Sequence, residues 1–379
     1  MTIFKDKKVL FVSHQADFQK FNQPLIEMLN NAGATVHYAS DRAEKIKNVK
    51  KDIKIDFARK PWRLGNHFKA LFQMRKLLNK EKYDLIHTHT ATASAITRVA
   101  NRSVKNKKHK PLVHTAHHYE SHKGGSLRDW VWFPIEQVLG NFYTDVEVTI
   151  SNGDFELAKK RMKKTKVVQI SGVGVDVAKF RPTMTKKARD EYRQNILDAG
   201  KDDFVIGYVA EMIPRKNHLF LLKAFKLALE ENPSLRLVLV GKGKTEPEIK
   251  KFIYDNNLES RTEIVQRKLG EINEFYESLD LEISTSKREG LGMHLLEALA
   301  VGTPVLASDI DGHNKFLKKN QMFDLKTPEE LSKIINRISK VDQSGKRVGM
   351  MPEKYSVENS LAEMEKIYGD LLKKNGKTA

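Results

Sequence analysis

A loop, a short apolar helix and a buried strand follow one another between Ser284 and Ser308, and this succession constrains the fold more than any other part of the chain. The apolar run from Met293 to Val301 has helical spacing, Gly302 suits the left-handed residue after a helix, and Thr303 to Ala307 resembles a core strand. The loop before this helix contains two glycines. Such a loop favours anions, because free backbone N–H groups and the positive end of the helix dipole face the same point.

Two glutamates, Glu289 and Glu297, lie eight residues apart in this stretch. If the segment between them were fully helical, they would be separated by roughly 12 Å along the axis and about 80° around it. That separation suits the two ends of an extended ligand, and it is too long for two carboxylates that share one reacting bond. A surface helix with one glutamate near its N-terminus and a second by chance explains the spacing equally well.

The first 40 residues predict a β-α-β unit. Residues 8–13 form an apolar run typical of a buried strand, residues 21–31 a helix closed by Gly33, and residues 35–39 a second strand. The turn after the first strand lacks the G-x-G-x-x-G pattern of dinucleotide sites, which disfavours a nicotinamide enzyme. The sequence therefore indicates an α/β fold of another functional class.

Length and residue content narrow the alternatives. A chain of 379 residues accommodates two domains with separate cores. Cysteine is absent, which excludes disulfides, thiolate metal sites and a cysteine nucleophile and agrees with a reducing compartment. No run approaches the roughly 20 apolar residues that span a bilayer. We expect a cytoplasmic protein, peripheral at the inner face of the plasma membrane if it binds membrane.

The net charge of +19 is concentrated in the first half of the chain, with +16 in residues 1–180 and +3 in residues 181–379. Three explanations stay open at this point: a nucleic acid partner, an anionic membrane or pyrophosphate-bearing lipid, and a proteome that is generally basic. The three tryptophans (Trp62, Trp130 and Trp132) lie in the same half. Aromatic and basic residues together suit either an interfacial patch or a loop that packs on its own domain.

Residues 64–80 predict an amphipathic helix. One helical stripe contains five large apolar residues, and the basic residues lie mostly elsewhere; the stripe consists of Leu64, Phe68, Leu71, Phe72 and Leu78. Packing of that stripe on the sheet is the favoured interpretation, and a basic face against lipid headgroups is the alternative.

Histidines follow two predicted strands, at 87 and 89 and at 114, 117 and 118. The helical spacing of a zinc protease is missing and no carboxylate accompanies the histidines in register, so metal ligation is disfavoured. The carboxyl ends of parallel strands are where α/β proteins bind ligands.

The frame Glu289-Gly290-Leu291, Glu297-Ala298 and Gly302-Thr303-Pro304-Val305 resembles the signature of retaining glycosyltransferases of family 4. The resemblance implies the GT-B fold, in which two Rossmann-like domains face an interdomain cleft. It implies an acceptor-binding domain at 1–180 and a nucleotide-sugar-binding domain at 185–355, with a C-terminal helix at about 357–373 packing back on the first domain.

The resemblance also implies roles for residues of the donor site. Glu289 holds donor-sugar hydroxyls, Glu297 holds the ribose, and Lys216 matches a lysine that neutralises the diphosphate. An arginine of the family is replaced by Glu211, so either Arg215 supplies the second cation or Lys216 acts with the helix dipole alone. The remaining donor-binding candidates contribute mainly backbone groups and are Gly290, Leu291, Gly292, Met293 and Arg267.

For the acceptor side, His117 matches a family histidine that lines the active site near the donor sugar. Together with Glu289 and Lys216 it forms the predicted catalytic set. The predicted acceptor-binding residues are Asp17, Lys20, Lys123 and Trp130.

The resulting expectation is transfer of a sugar from a UDP-sugar to a saccharide or polyprenyl-linked acceptor in cell-surface polysaccharide biosynthesis. No cofactor or metal is expected, and no nucleic acid partner. Two alternatives stay open: a nucleotide-sugar epimerase on a similar fold, and a nucleic-acid-binding protein that uses the basic half, for which no motif is present.

Overall fold

The computed structural model describes residues 2–14, 19–41, 46–58, 63–104, 109–117, 119, 127–265, 272–341 and 348–376, with the backbone alone at 2, 19, 20, 127–132, 375 and 376. Its contacts divide the chain into two units. The first comprises Met1–Gly174 and Val357–Ala379, and the second Val175–Ser356. The sequence places the boundary near residue 180, whereas the contacts divide the chain just after Gly174.

The first unit is built on a seven-stranded parallel sheet with the order β3-β2-β1-β4-β5-β6-β7. The strands are β1 (Lys8–Val12), β2 (Thr35–Ser40), β3 (Lys51–Lys54), β4 (Leu85–His89), β5 (Leu112–Ala116), β6 (Val146–Thr149) and β7 (Lys166–Gln169). Val9 to Val12 of β1 are fully buried, because helices cover both faces of a parallel sheet.

Five helices connect these strands, and they are α1 (Gln19–Asn31), α2 (Leu64–Lys80), α3 (Ala91–Arg102), α4 (Leu127–Tyr143) and α5 (Asn152–Arg161). The C-terminal helix, Val357–Gly376, also belongs to this unit. It packs on α1, its Tyr368 hydroxyl lies 2.6 Å from Nδ1 of His87, and its Glu363 accepts a 2.9 Å hydrogen bond from the Ser171 N–H.

The second unit contains a six-stranded parallel sheet with the order β10-β9-β8-β11-β12-β13. Its strands are β8 (Phe204–Val209), β9 (Leu235–Val240), β10 (Thr262–Val265), β11 (Leu281–Ser284), β12 (Val305–Ser308) and β13 (Met322–Phe323). Its helices are α6 (Lys186–Ile196), α7 (His218–Glu231), α8 (Glu246–Asp255), α9 (Ile272–Ser278), α10 (Met293–Ala300) and α11 (Pro328–Ser339). Strand order reverses at β8, which has β9 on one side and β11 on the other. A ligand crevice is expected beyond the carboxyl ends of β8 and β11.

The predicted core stripe of α2 is wrong for three of its five residues. Leu64, Phe68 and Phe72 are 64%, 71% and 71% exposed, and the fully or nearly fully buried residues of the helix are Ala70, Met74 and Leu78. Both sets repeat every four residues, so periodicity alone did not decide which one faces the sheet. Helix α4 was not predicted from the sequence, and it contains the aromatic run together with Pro134.

None of the helices that the structure describes is long and apolar enough to cross a bilayer.

A glycine at the end of β9 allows a close backbone approach in the second unit. Gly241 has φ +148°, and a Cβ there would lie 2.0 Å from the Ala210 carbonyl oxygen. We expect Gly241→Ala to lower the free energy of unfolding by about 1–3 kcal/mol, measured by urea denaturation. The control is Gly369→Ala in the C-terminal helix, where nothing lies within 4 Å and a gain of about 0.5–1 kcal/mol is expected. Equal stability of the two variants would contradict this account.

Candidate active site

The loop after β8 carries Arg215 and Lys216 in a single turn of 3-10 helix. Asn217 then adopts the left-handed conformation, with φ 58°, before α7 begins. The Lys216 carbonyl accepts hydrogen bonds from the Tyr208 hydroxyl at 2.8 Å and from the Thr285 hydroxyl at 3.2 Å. Side chains that follow or belong to the two central strands therefore hold the backbone of the cationic loop in place.

The loop after β11 brings Glu289 to these two cations. One carboxylate oxygen of Glu289 pairs with the Lys216 ammonium and accepts a 2.7 Å hydrogen bond from Ser286. The other oxygen accepts a 2.9 Å hydrogen bond from Nη1 of Arg215. The Glu289 and Lys216 side chains are only 10% and 12% exposed, and Arg215 is 36% exposed. The result is a shielded carboxylate between one buried and one accessible cation.

Electrostatics keep this carboxylate ionised. Burial alone would raise the pKa of Glu289, but Lys216 and Arg215 outweigh burial and lower its pKa to about 2. At neutral pH the loop therefore holds two positive charges and one negative charge, and its net positive charge suits an anion.

Two glycines let the loop of Glu289 pack tightly on the turn after β12. Gly292 has φ +65°, and a Cβ there would lie 2.9 Å from the His313 ring. A Cβ at Gly312 would lie 2.4 Å from the Glu289 carbonyl oxygen. Gly292 precedes α10 and provides no side-chain cap. The Leu295 N–H donates to the Gly292 carbonyl at 3.0 Å, and the positive end of the helix dipole favours an anion at this N-terminus.

Glu297 lies within α10, whereas Glu289 precedes that helix, so the two glutamates are not joined by continuous helix. Glu297 is half-buried and accepts a 2.9 Å hydrogen bond from the Tyr276 hydroxyl of α9. Glu297 is thus held by α9, whereas Glu289 is held by the loop after β8. Two carboxylates at separate positions suit a ligand with two separated polar parts.

Sequence reasoning missed a buried polar layer beneath Lys216 and Glu289. Nε2 of His294 lies 3.9 Å from an oxygen of Glu282 on β11. Burial raises the pKa of Glu282 well above its ordinary value and lowers the pKa of His294 well below its own. His218 is 2% exposed, and neither of its ring nitrogens has a hydrogen-bond partner among the described residues. No spacing pattern in the sequence distinguishes these three residues from other core positions.

In the first unit, the predicted histidine belongs to a buried cluster at the ends of β4 and β5. Nε2 of His117 lies 3.1 Å from Nδ1 of His89, and Nε2 of His87 lies 2.8 Å from the Thr115 hydroxyl. Burial lowers the pKa of His117 to about 4 and that of His87 to about 3. The cluster is therefore uncharged at neutral pH and acts through hydrogen bonds.

This histidine cluster borders a small pocket of the first unit. The other walls are largely apolar and come from α1 and the C-terminal helix, including Phe21, Leu25, Leu361 and Met364. The first unit therefore offers a largely apolar pocket whose polar lining combines neutral imidazoles with Asn22, Thr115 and Ser360.

A second buried cluster of the first unit contains His114, Glu136 and Glu147, whose ligand atoms lie within 4.8 Å of one another. Arg98 is fully buried in the same region and donates a 2.9 Å hydrogen bond to Glu136. Burial raises the pKa of Glu147 to about 7, opposed by Arg98, and the Tyr119 hydroxyl donates to Glu147 at 2.6 Å. A guanidinium thus already balances the charge of this cluster.

Several predicted residues are not described. Arg267, Asp17 and Lys123 lie outside the described residues, whereas Lys20 and Trp130 lie in α1 and α4 with only their backbone described. Of the predicted donor residues, the structure brings Arg215, Lys216 and Glu289 into direct contact.

Two family models match the chain. The model described as Glycosyltransferase Family 4 matches residues 22–171, and the model described as Glycosyl transferases group 1 matches residues 189–350. Among curated proteins, EpsD of Bacillus subtilis is 27% identical over 390 residues, covering 96% of each chain. The UDP-Gal:alpha-D-GlcNAc-diphosphoundecaprenol alpha-1,3-galactosyltransferase of Escherichia coli is 28% identical, covering 72% of this chain and 70% of its own.

Solved structures share the fold at low sequence identity. HepE of Anabaena in complex with UDP-glucose has a TM-score of 0.72 at 19% identity and covers 98% of this chain and 100% of its own. Sucrose-phosphate synthase of Thermosynechococcus elongatus has a TM-score of 0.76 at 18% identity, covering 96% and 99%.

Proposed function

Since the chain belongs to glycosyltransferase family 4 and has the GT-B fold, we propose that it transfers a sugar from a UDP-sugar to a polyprenyl-diphosphate-linked saccharide, with retention of the anomeric configuration. Its relatives are glycosyltransferases of polysaccharide and lipid-linked glycan biosynthesis. The Anabaena neighbour binds UDP-glucose, which supports uridine as the nucleoside of the donor.

The observation that carries the proposal is the contact of Glu289 with Lys216 and Arg215 at the start of α10. A nucleoside diphosphate presents two phosphates and a sugar, and this loop presents two cations, the N-terminus of α10 and one carboxylate. The cations and the helix dipole suit the diphosphate, and the carboxylate suits sugar hydroxyls. Glu297 lies one helix turn further on and suits the ribose.

In the proposed reaction the bond between the anomeric carbon and the diphosphate oxygen breaks, and the diphosphate leaves with the electron pair. An acceptor hydroxyl attacks from the same face, forms the new glycosidic bond and passes its proton to the leaving phosphate oxygen. Lys216 and Arg215 stabilise the charge that develops on the diphosphate. His117, which is half-buried and neutral at pH 7, contributes a hydrogen bond to the sugar.

The acceptor is assigned to the first unit, with Asp17, Lys20, Lys123 and Trp130 as its binding residues. The charge of +16 in residues 1–180 suits a pyrophosphate-bearing acceptor. The Escherichia coli relative is named for a diphosphoundecaprenol acceptor, which supports the same class here. Such an acceptor is anchored in a membrane, so we place the enzyme at the cytoplasmic face of that membrane. The epimerase and nucleic-acid alternatives are not favoured, because the relatives are named as glycosyltransferases.

Thermal-shift measurements with nucleoside diphosphates test the donor site. UDP at about 100 times its dissociation constant should stabilise the native state by about 2.7 kcal/mol. Glu297→Ala should reduce that shift, because the ribose loses a charged hydrogen-bond partner worth about 1.5–3 kcal/mol. Glu248→Ala, an exposed position of α8, is the control and should respond like the natural sequence. Absence of stabilisation by every nucleoside diphosphate would refute the donor site.

A further inference from the structure

Three helices of the first unit form one layer whose outer surface is unusually apolar. The connections β3-α2-β4, β4-α3-β5 and β5-α4-β6 all step in the same direction along the sheet, so right-handed crossovers place α2, α3 and α4 on one face of it. The helix α3 packs against both α2 and α4. The outward surface of α2 and α4 is called the α2–α4 face below.

Exposed apolar side chains concentrate on this face. Leu64, Phe68 and Phe72 of α2 repeat every four residues, and Ile135, Val138 and Phe142 of α4 repeat every three and four. Each set therefore forms one stripe along its helix. With Val99 of α3, the layer holds seven of the twelve large apolar residues that are exposed in the described part of the chain. A concentration of this kind marks an interaction surface rather than scattered exposure.

Basic residues border the apolar stripes. The helices α2 and α3 contain no Asp or Glu, and Arg75, Lys76 and Lys80 of α2 are exposed. Beside α4, Lys164 places its ammonium 4.4 Å from the centre of the Phe142 ring. Apolar side chains flanked by lysine and arginine complement an anionic bilayer surface, where rings enter the interface and cations meet headgroups.

We propose that the α2–α4 face docks on an anionic lipid bilayer. Phe68, Phe72 and Phe142 enter the interfacial region, while Lys76, Lys80 and Lys164 contact lipid phosphates. The choice of a bilayer over a protein partner rests on the proposed function, because a polyprenyl-linked acceptor is confined to a membrane. The charge of the face supports the same choice, since a second copy of this chain would bring one basic surface against another.

Vesicle flotation tests the proposal. Full-length protein should float with phosphatidylcholine vesicles that contain phosphatidylglycerol, and salt should weaken that binding. Phe68→Ser with Phe72→Ser should weaken it by about tenfold or more, through the lost apolar burial. Lys76→Glu with Lys80→Glu should also weaken it by about tenfold or more.

Matched controls come from the second unit. Tyr254→Ser removes an aromatic ring that is 73% exposed on α8, and Lys223→Glu with Lys333→Glu reverses two exposed charges. Both controls should float like the natural sequence. The melting temperature of each variant without UDP reports whether it folds, and the shift on adding UDP reports the donor site. If UDP does not stabilise the natural sequence, the proposed function is refuted, whereas the flotation result is unaffected.

Three outcomes overturn the proposal. The natural sequence fails to float with anionic vesicles at low salt, or the double phenylalanine variant floats as well as the natural sequence. The third is a dimer in light scattering that the phenylalanine substitutions dissociate and that vesicles do not bind, which identifies a second copy as the occupant.

Discussion

Glu289→Gln is expected to reduce sugar transfer by a factor of about 10²–10³ while UDP affinity stays the same or increases. The substitution removes the negative charge between Lys216 and Arg215 but preserves the shape of the side chain. Two cations without their carboxylate attract a diphosphate at least as strongly as before. The sugar, however, loses a charged acceptor with two oxygens, because the amide keeps only one acceptor oxygen, and the cations lose the charge that positions them.

Steady-state transfer and UDP titration calorimetry separate the two effects, since kcat should fall whereas the dissociation constant of UDP should not rise. Glu248→Gln on the exposed surface of α8 is the matched control, and it should leave both quantities unchanged. A Glu289→Gln enzyme with normal kcat, or one that has lost UDP affinity in proportion to activity, would contradict the role assigned to this carboxylate.

Lys216→Ala is expected to reduce both sugar transfer and UDP affinity. The ammonium is 12% exposed, and a shielded charge-assisted hydrogen bond to phosphate contributes about 1.5–3 kcal/mol. The dissociation constant of UDP should therefore rise by about 10- to 100-fold. Transfer should fall further, by about 10²–10³ in kcat/KM, because charge on the diphosphate increases as the sugar leaves.

Three comparisons make this experiment specific. Arg215→Ala should have a smaller effect, because Arg215 is more exposed than Lys216 and water partly replaces it. Lys223→Ala, at an exposed position of α7, should have none. Uridine, which lacks phosphates, should bind the Lys216→Ala protein as it binds the natural sequence. If uridine and UDP weaken equally, Lys216 supports the fold of the loop and does not contact the diphosphate.

The departure from the family pattern at Glu211 raises the question of which residue supplies the second cation beside Lys216. The sequence shows that an arginine is replaced by a glutamate and that Arg215 is nearby in the chain. The structure shows that Glu211 is exposed, whereas Arg215 donates to both Glu289 and the Arg288 carbonyl. This contact depends on two loops that are more than 70 residues apart, so local spacing did not predict it.

For the α2 helix, the sequence predicted the bounds but not the side that faces the sheet. Its existence and bounds followed from periodicity, because a 17-residue amphipathic pattern is strong. Its orientation did not, since two stripes with the same repeat compete for the sheet. Ala70 and Met74 pack in the core with strand residues such as Leu10 and Ile86. Phe68 and Phe72 are exposed on the opposite side of the helix.

By itself the sequence determined the α/β architecture, the bounds of α2, the approximate positions of β1, α1, β2 and α10, and the frame of Glu289 to Glu297, because these depend on local periodicity, turn glycines and short motifs. Only the tertiary structure decided which cation faces which carboxylate, that His117 and His89 share a hydrogen bond, and which side of α2 is exposed. Those features depend on packing between distant segments. The role proposed for Glu289 therefore depends on its ion pairs with Lys216 and Arg215, which follow the neighbouring strand β8.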